Sequence, residues 1–144
     1  MMKNMNTNKV NDSNARIFIF GAGYGGRKMP VFLSTLVENR VELLVDIRSI
    51  PISRHYPAFS KTNLISSLSS VGIQYAHDGR AIGGKLRNVG FSKKLDQLAQ
   101  MANDGQRICV MCAESDPTQC HRTSKLKPAL ARRGIELIEI RFPD

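Results

Sequence analysis

Short apolar runs alternate with amphipathic stretches along most of the chain. A short apolar run between turn-forming residues is typical of a buried strand, and apolar residues spaced at helical intervals are typical of a helix that packs on a sheet. The pattern predicts five strands, at residues 17–20, 43–47, 73–76, 108–111 and 135–140. Helices are expected between them, beginning near Pro30, Ser60, Ser92 and Asp116.

The order of these elements predicts the fold class. Strand then helix, repeated along the chain and closed by a fifth strand, is typical of a single three-layer α/β domain with mainly parallel strands and helices on both faces. Acidic residues alternate with apolar ones in the last run, IELIEI, which favours an edge strand. We assign the domain to residues 15–144 and expect the Asn-rich residues 1–14 to be a disordered polar leader.

A glycine cluster and two prolines modify this picture. GAGYGG follows the first apolar run and matches the glycine pattern of dinucleotide-binding folds. In those folds the helix begins within the glycines, and Pro30 would then fall in its second turn, where proline breaks a helix. We therefore expect the glycines to end the strand and to form a loop before a helix that starts near Pro30. Pro128 should kink or split the last helix, which Asp116 and Pro117 begin and which runs toward Arg133.

Chemically reactive side chains gather where the predicted strands end. Because ligands bind at the carboxyl edge of an open parallel sheet, these residues are the candidates for a functional site. The candidate catalytic residues are Asp46, His77, Cys112 and Glu114. The candidate ligand-binding residues are Arg48, Arg54, Gly83, Gly84, His121 and Arg122.

Cys112 has three interpretations that the residues leave open. As a nucleophile, its thiolate would be favoured by the N-terminus of the following helix and a nearby arginine, with His121 or His77 as its base. As a structural residue, it would pack as a small hydrophobic side chain, with Glu114 bonded to the backbone or to an arginine. As part of a metal or redox site, it would join Cys120 and His121, although the closely spaced ligand pairs of a structural zinc site are missing.

The charge of the chain favours an anionic partner. Lys and Arg number 21 against 12 Asp and Glu, which gives a formal net charge of +9. With no Trp and few aromatic residues, a stacking platform for single-stranded nucleic acid is poorly supplied. Arg48, Arg54 and Arg122 are suited to a phosphate or carboxylate, so phosphate contact is favoured over base recognition. Asp46 would either orient Arg48 or act as a base.

Nothing in the sequence predicts a membrane protein. No apolar run approaches the ~20 residues that span a bilayer, and the first residues lack the apolar segment of a signal peptide. Three cysteines are too few for a disulfide framework. We expect a cytoplasmic protein with an anionic ligand, which could be a nucleotide or a nucleic acid. The sequence implies no particular cofactor and no oligomeric state.

Three motifs in order resemble those of a known family: LLVDIRSIPISRHYPAFSKTNL, then GIQYAH with IGG, then MCAESDPTQCHR. Together they resemble the bacterial and archaeal family known as domain of unknown function 488, over roughly Ile17 to the C-terminus. The resemblance implies a compact α/β domain and brings no established activity. GAGYGG departs from the Thr-Ile-Gly type of turn in relatives. The matching residues are Asp46, Arg48, Pro51, Ser53, Arg54, His77, Gly83, Gly84, Cys112, Glu114, Pro117, Cys120, His121 and Arg122.

Three classes of function follow from these residues. The leading hypothesis is an enzyme or enzyme-like domain that acts on a phosphate-bearing ligand, a nucleotide or a nucleic-acid end, at the carboxyl edge of the sheet. The rival is a non-catalytic nucleic-acid-binding module, in which the same residues only brace the loops. The third is a metal-binding or redox-sensing domain, for which bound zinc or iron, or a reversible link between Cys112 and Cys120, is expected.

Overall fold

The structure is a computed structural model that describes residues 16–84 and 88–143. The predicted leader, residues 1–14, lies outside the described residues. The strands are β1 (Ile17–Gly23), β2 (Leu43–Asp46), β3 (Gln74–His77), β4 (Ile108–Cys112) and β5 (Ile135–Glu139). The α-helices are α1 (Met29–Glu38), α2 (Lys61–Ser70), α3 (Gly79–Ile82), α4 (Phe91–Asn103) and α5 (Lys127–Ala131).

The five strands form one parallel sheet in the order β3-β2-β4-β1-β5. The predicted α/β fold class is therefore confirmed, and β5 lies at an edge as its acidic residues indicated. Asp46 ends β2 opposite His77 of β3, and Cys112 ends β4 opposite Gly23 of β1. The register thus brings the ends of four strands together at one edge of the sheet.

Helices cover both faces of the sheet, because successive residues of each strand point to opposite sides. On one face, Phe20 and Leu44 pack against α1 and α2. On the other face, Ile19 and Val45 pack against α4 and α5. The chain leaves β1 for the first face and β4 for the second, and these two strands are neighbours. This divergence creates a crevice beyond their carboxyl ends, the usual position of a ligand site in such sheets.

Two local predictions need correction. The glycines do not end β1 at Phe20, because the strand continues through GAG. Gly21 and Gly23 pair with β4 through their backbones, and this pairing requires no side chain on either residue. The α4 helix begins at Phe91 after Gly90, one residue before the expected Ser92 cap. The loop before α1 and the helix start next to Pro30 are confirmed.

The predicted last helix is the largest correction. It is divided into a 3-10 turn at Pro117–Gln119, a π-helical segment at Arg122–Leu126 and the short helix α5. Asp116 does cap the first turn, since its carboxylate accepts a hydrogen bond from the Thr118 amide at 3.0 Å. The division near Pro128 was expected, because a proline has no amide hydrogen for the helical ladder. None of the helices in residues 16–84 and 88–143 has the length and apolar character needed to cross a membrane.

Candidate functional site

A cavity of about 720 Å³ opens at the carboxyl edge of the sheet, where β1, β2 and β4 end. Its walls come from the loops after these three strands and from the segment that leads into the last helices. Its polar lining is Arg48, Ser49, Arg54, Glu114, Gln119 and His121, with Cys112 and Cys120 beside them. Tyr24, Ile50, Ile52, Gly84 and Ala113 complete the lining.

Arg48 is fixed in the cavity wall by Asp46. The carboxylate of Asp46 is fully buried and accepts hydrogen bonds from Arg48 Nε at 2.9 Å and from Nη2 at 2.7 Å. Arg48 Nη1 donates to the Tyr24 hydroxyl at 3.1 Å. Burial alone would lower the pKa of Arg48, but Asp46 and Tyr24 outweigh it and raise the pKa. The guanidinium is therefore a permanent cation with a set orientation.

Tyr75 and His77 support this pair from β3. The Tyr75 hydroxyl donates to Asp46 Oδ2 at 2.7 Å, and burial next to that carboxylate raises the pKa of Tyr75. His77 Nε2 lies 2.6 Å from the carbonyl oxygen of Arg48, so this ring nitrogen carries the hydrogen. Asp46 and His77 do not line the cavity. Both contact Arg48, which does line the cavity.

Arg122 is fully buried and connects three segments at the floor of the cavity. Its Nε and Nη2 donate to the two carboxylate oxygens of Glu139 at 3.0 and 2.5 Å. Its Nη1 donates to Cys112 Sγ at 2.7 Å and to the carbonyl oxygen of Glu114 at 2.7 Å. A guanidinium at this distance favours the thiolate form of a cysteine. Of the two groups expected to favour the thiolate, the arginine is the one that contacts the sulfur. A 3-10 turn follows Asp116 in place of the expected helix N-terminus.

Cys112 and Cys120 face each other across the cavity floor. The structure pairs them as a disulfide, and their Cα atoms are 7.6 Å apart. Cys120 Sγ also lies 3.7 Å from His121 Nδ1. Cys109, three residues before Cys112, points into the core, and burial raises the pKa of its thiol. Cys112 therefore lines the cavity while its buried side chain also packs in the core on the α4 and α5 face, whereas Cys109 lies in the core on the other face.

The tautomer of His121 follows from its contacts. Its Nε2 lies 3.0 Å from the carbonyl oxygen of Ile82, so Nε2 carries the hydrogen and Nδ1 is a free acceptor next to Cys120. Burial, together with nearby cations, lowers the pKa of His121 and favours the neutral ring. Gly84 lies against this ring, where a Cβ would overlap Nδ1.

Arg54 and Glu114 are the exposed charges of the cavity. Arg54 makes no ion pair or side-chain hydrogen bond within the described residues. Glu114 Oε1 accepts a hydrogen bond from the Asp116 amide at 3.0 Å, which fixes the carboxylate near the rim. One cation and one carboxylate are thus accessible to a ligand at the opening.

Six of the ten predicted site residues line this cavity. They are Arg48, Arg54, Gly84, Cys112, Glu114 and His121. The other four lie behind the wall: Asp46, His77 and Arg122 through the contacts described above, and Gly83 because it is buried beside Ser49.

The sequence analysis missed several residues of the site. Glu139, the partner of Arg122, had a detectable signal, since it is an acidic residue at the carboxyl end of a strand. Ile50 and Ile52 line the cavity although both are largely exposed, and two isoleucines in a proline-containing loop were the available sign. Tyr24 follows β1 directly and also lines the cavity, but its bond to Arg48 could not be foreseen.

The part of the chain that the structure describes contains no set of ligands that would support the metal interpretation. Across residues 16–84 and 88–143, no three His, Cys, Asp or Glu residues are grouped so that they could bind a metal ion. Cys112 and Cys120 are paired with each other instead.

Comparison with known proteins identifies a family but no activity. A family model described as "Domain of unknown function DUF488" matches residues 28–89 and 83–125. The match covers more than half of the chain and includes all the cavity-lining residues except Tyr24. No curated protein and no solved structure gave a significant match. The chain therefore belongs to the DUF488 family, as its motifs indicated.

Proposed function

We propose that this member of the family binds a phosphate-bearing ligand, a nucleotide or a nucleic-acid end, in the cavity, and that reduced Cys112 acts on it. One observation carries the proposal: an oriented arginine, an arginine with no ion pair among the described residues, and a cysteine beside a buried guanidinium line the same cavity. Arginines are the side chains best suited to a phosphate group, and a thiolate is a strong nucleophile.

Arg54 and Arg48 have different tasks in this proposal. Arg54 supplies a positive charge that is available to a ligand, because no carboxylate in the described residues forms an ion pair with it. The charge of Arg48 is balanced by Asp46, so Arg48 contributes directed N–H groups and a rigid wall. Because Arg48 is already buried, a ligand that contacts it displaces little water from this guanidinium, which limits the cost of desolvation.

Cys112 and Glu114 are the candidates for the chemistry. Cys112 receives a hydrogen bond from Arg122, which lowers the cost of forming a thiolate. The Glu114 carboxylate lies at the rim of the same cavity and is accessible for proton exchange with a ligand. Reduction of the Cys112–Cys120 pair is required before Cys112 can act.

A non-catalytic nucleic-acid-binding module is the second candidate. The observation that favours it is that Arg48 and Arg122 both form buried ion pairs, with Asp46 and Glu139. Residues paired in this way brace loops, as that hypothesis expects. The net charge of +9 would then supply an affinity that depends mainly on phosphate contacts and salt.

Titration calorimetry on the reduced protein separates the two candidates. Adenosine 5′-monophosphate is the small probe, and a short 5′-phosphorylated oligonucleotide is the large one. For the proposed function, Arg54→Ala should weaken binding of the small probe about tenfold, or ~1.4 kcal/mol. Arg132→Ala is the matched control, since Arg132 is exposed at the end of α5, at the opposite edge of the sheet.

Two outcomes would contradict the proposal. In the first, the small probe does not bind, or binds the wild type and Arg54→Ala equally well. In the second, only the oligonucleotide binds, its affinity falls steeply with salt, and Cys112→Ser leaves the affinity and every conversion of the bound strand unchanged. The second outcome would establish the binding module instead.

A further inference from the structure

Cys112 and Cys120 differ in their surroundings although they face each other. Cys112 Sγ lies 2.7 Å from a guanidinium nitrogen of Arg122. The Cys120 sulfur accepts a hydrogen bond from the Arg122 backbone amide at 3.4 Å and lies near the acceptor nitrogen of His121. The positive charge therefore favours a thiolate on Cys112, and the neutral imidazole can take a proton from Cys120.

Cys112 and Cys120 both line the cavity, although they are largely buried at 4% and 6% exposure, whereas Cys109 is fully buried in the core. A disulfide that only stabilises a core does not require a cavity, a buried cation or a histidine acceptor beside it. These are the surroundings of thiols that react with a small solute.

We propose that Cys112 and Cys120 form a redox-active pair, in which a hydroperoxide oxidises Cys112 and Cys120 then closes a reversible disulfide. The activity goes beyond the proposed function: it uses the same Cys112 but needs neither Arg54 nor a phosphate-bearing ligand. Its substrates are a hydroperoxide and, for the return step, a thiol reductant.

The first step transfers two electrons from sulfur to the peroxide. The Cys112 thiolate attacks one peroxide oxygen, an S–O bond forms, and the O–O bond breaks. The leaving hydroxide (from hydrogen peroxide) or alkoxide (from an organic hydroperoxide) takes a proton from solvent and becomes water or an alcohol, and Cys112 becomes a sulfenic acid. Arg122 stabilises the thiolate before the attack.

The second step forms the disulfide. Cys120 gives its proton to His121 Nδ1, and its sulfur attacks the sulfur of Cys112. An S–S bond forms, the S–O bond of the sulfenic acid breaks, and the departing hydroxide takes the proton from His121 as water. Two molecules of an added monothiol, or one dithiol, then restore both cysteines by thiol–disulfide exchange.

The test treats the reduced full-length protein with one equivalent of hydrogen peroxide in a phosphate-free buffer. Thiols are counted after unfolding and located by mass spectrometry. The chain has three cysteines, and we expect one thiol to remain, at Cys109. Dithiothreitol should restore all three. Retention of three thiols, a disulfide between two chains, or oxidation that dithiothreitol does not reverse would overturn the proposal.

Variants test the assigned order of the two cysteines. Cys120→Ser should accumulate a sulfenic acid at Cys112 that dimedone traps, and His121→Gln should form the sulfenic acid at the normal rate but close the disulfide more slowly. Cys112→Ser should lose thiols at least roughly tenfold more slowly than the wild type. Cys109→Ala is the matched control and should behave like the wild type.

Equal rates for Cys112→Ser and the wild type would contradict the assignment of Cys112. Failure of this activity leaves the affinity of Arg54 variants for adenosine 5′-monophosphate unaffected. Failure of the proposed function is seen with the nucleotide and oligonucleotide probes, whether or not hydrogen peroxide oxidises the cysteine pair, so the two results are distinguishable.

Discussion

The buried carboxylate of Asp46 can be removed with almost no change in side-chain shape by Asp46→Asn. The wild-type carboxylate accepts four hydrogen bonds, two at each oxygen. Oδ1 accepts from the Arg48 amide at 3.1 Å and from Arg48 Nε at 2.9 Å. Oδ2 accepts from Arg48 Nη2 and from the Tyr75 hydroxyl, both at 2.7 Å.

An asparagine cannot satisfy this set of donors. Whichever way its amide is turned, the NH₂ group faces two of the wild-type donors, and the charge that balances Arg48 is lost. Breaking a buried ion pair in this way costs about 3–5 kcal/mol. We expect the free energy of unfolding of Asp46→Asn to fall by about this amount in urea denaturation followed by circular dichroism.

A matched control is available on the surface. Asp96 is 67% exposed and pairs with Arg133 at 2.8 Å, so Asp96→Asn should cost about 1 kcal/mol or less. The double variant Asp46→Asn, Arg48→Met removes the unpaired cation and should be more stable than Asp46→Asn alone. The reasoning is refuted if Asp46→Asn costs no more than Asp96→Asn, or if the double variant is less stable than the single one.

Three further predictions concern other parts of the site. Gly23→Ala should cost about 1–3 kcal/mol in the same denaturation assay, because the new Cβ would overlap the carbonyl oxygen of Glu114; an unchanged free energy would contradict the close approach. Since the pKa of His121 is lowered in the folded protein, the unfolded chain binds more protons, and stability should fall as the pH drops below the ordinary imidazole pKa of ~6.5. His121→Asn should remove that part of the pH dependence, and equal slopes for the variant and the wild type would refute it. Burial raises the pKa of Cys109, so this thiol should be alkylated only on unfolding, and rapid labelling of the folded protein would place it outside the core.

The strands and the position of the site were predictable from the sequence because each depends on local patterns and one general rule. Apolar runs such as Leu43–Asp46 and Ile108–Cys112 are buried on both faces, and such runs are distinctive. The rule that ligands bind at the carboxyl edge of a parallel sheet then selected the residues after each strand. Arg48, Arg54 and Glu114 reached the cavity lining by this reasoning.

The roles within the site depend on contacts between distant segments, which no local pattern contains. Arg122 was predicted as a ligand-binding residue, and the pairing of β5 with β1 adds a contact that was not predicted, with Glu139 within 2.5 Å of its guanidinium. Asp46 was expected either to orient Arg48 or to act as a base; it contacts Arg48, and the pairing of β2 with β3 also places Tyr75 against its second oxygen. The divided helix after Asp116 was only partly predictable, since the proline signals a break but not a π-helical segment.

The central claim is that reduced Cys112 is a reactive thiolate in the cavity, stabilised by Arg122. The rate of alkylation by iodoacetamide as a function of pH, followed at each cysteine of the reduced, folded protein by mass spectrometry, tests it most directly. We predict that Cys112 reacts with an apparent pKa below the ~8.5 of a free thiol, and faster than Cys120 at neutral pH. Inertness of Cys112 until the protein unfolds, as expected for Cys109, would contradict the claim.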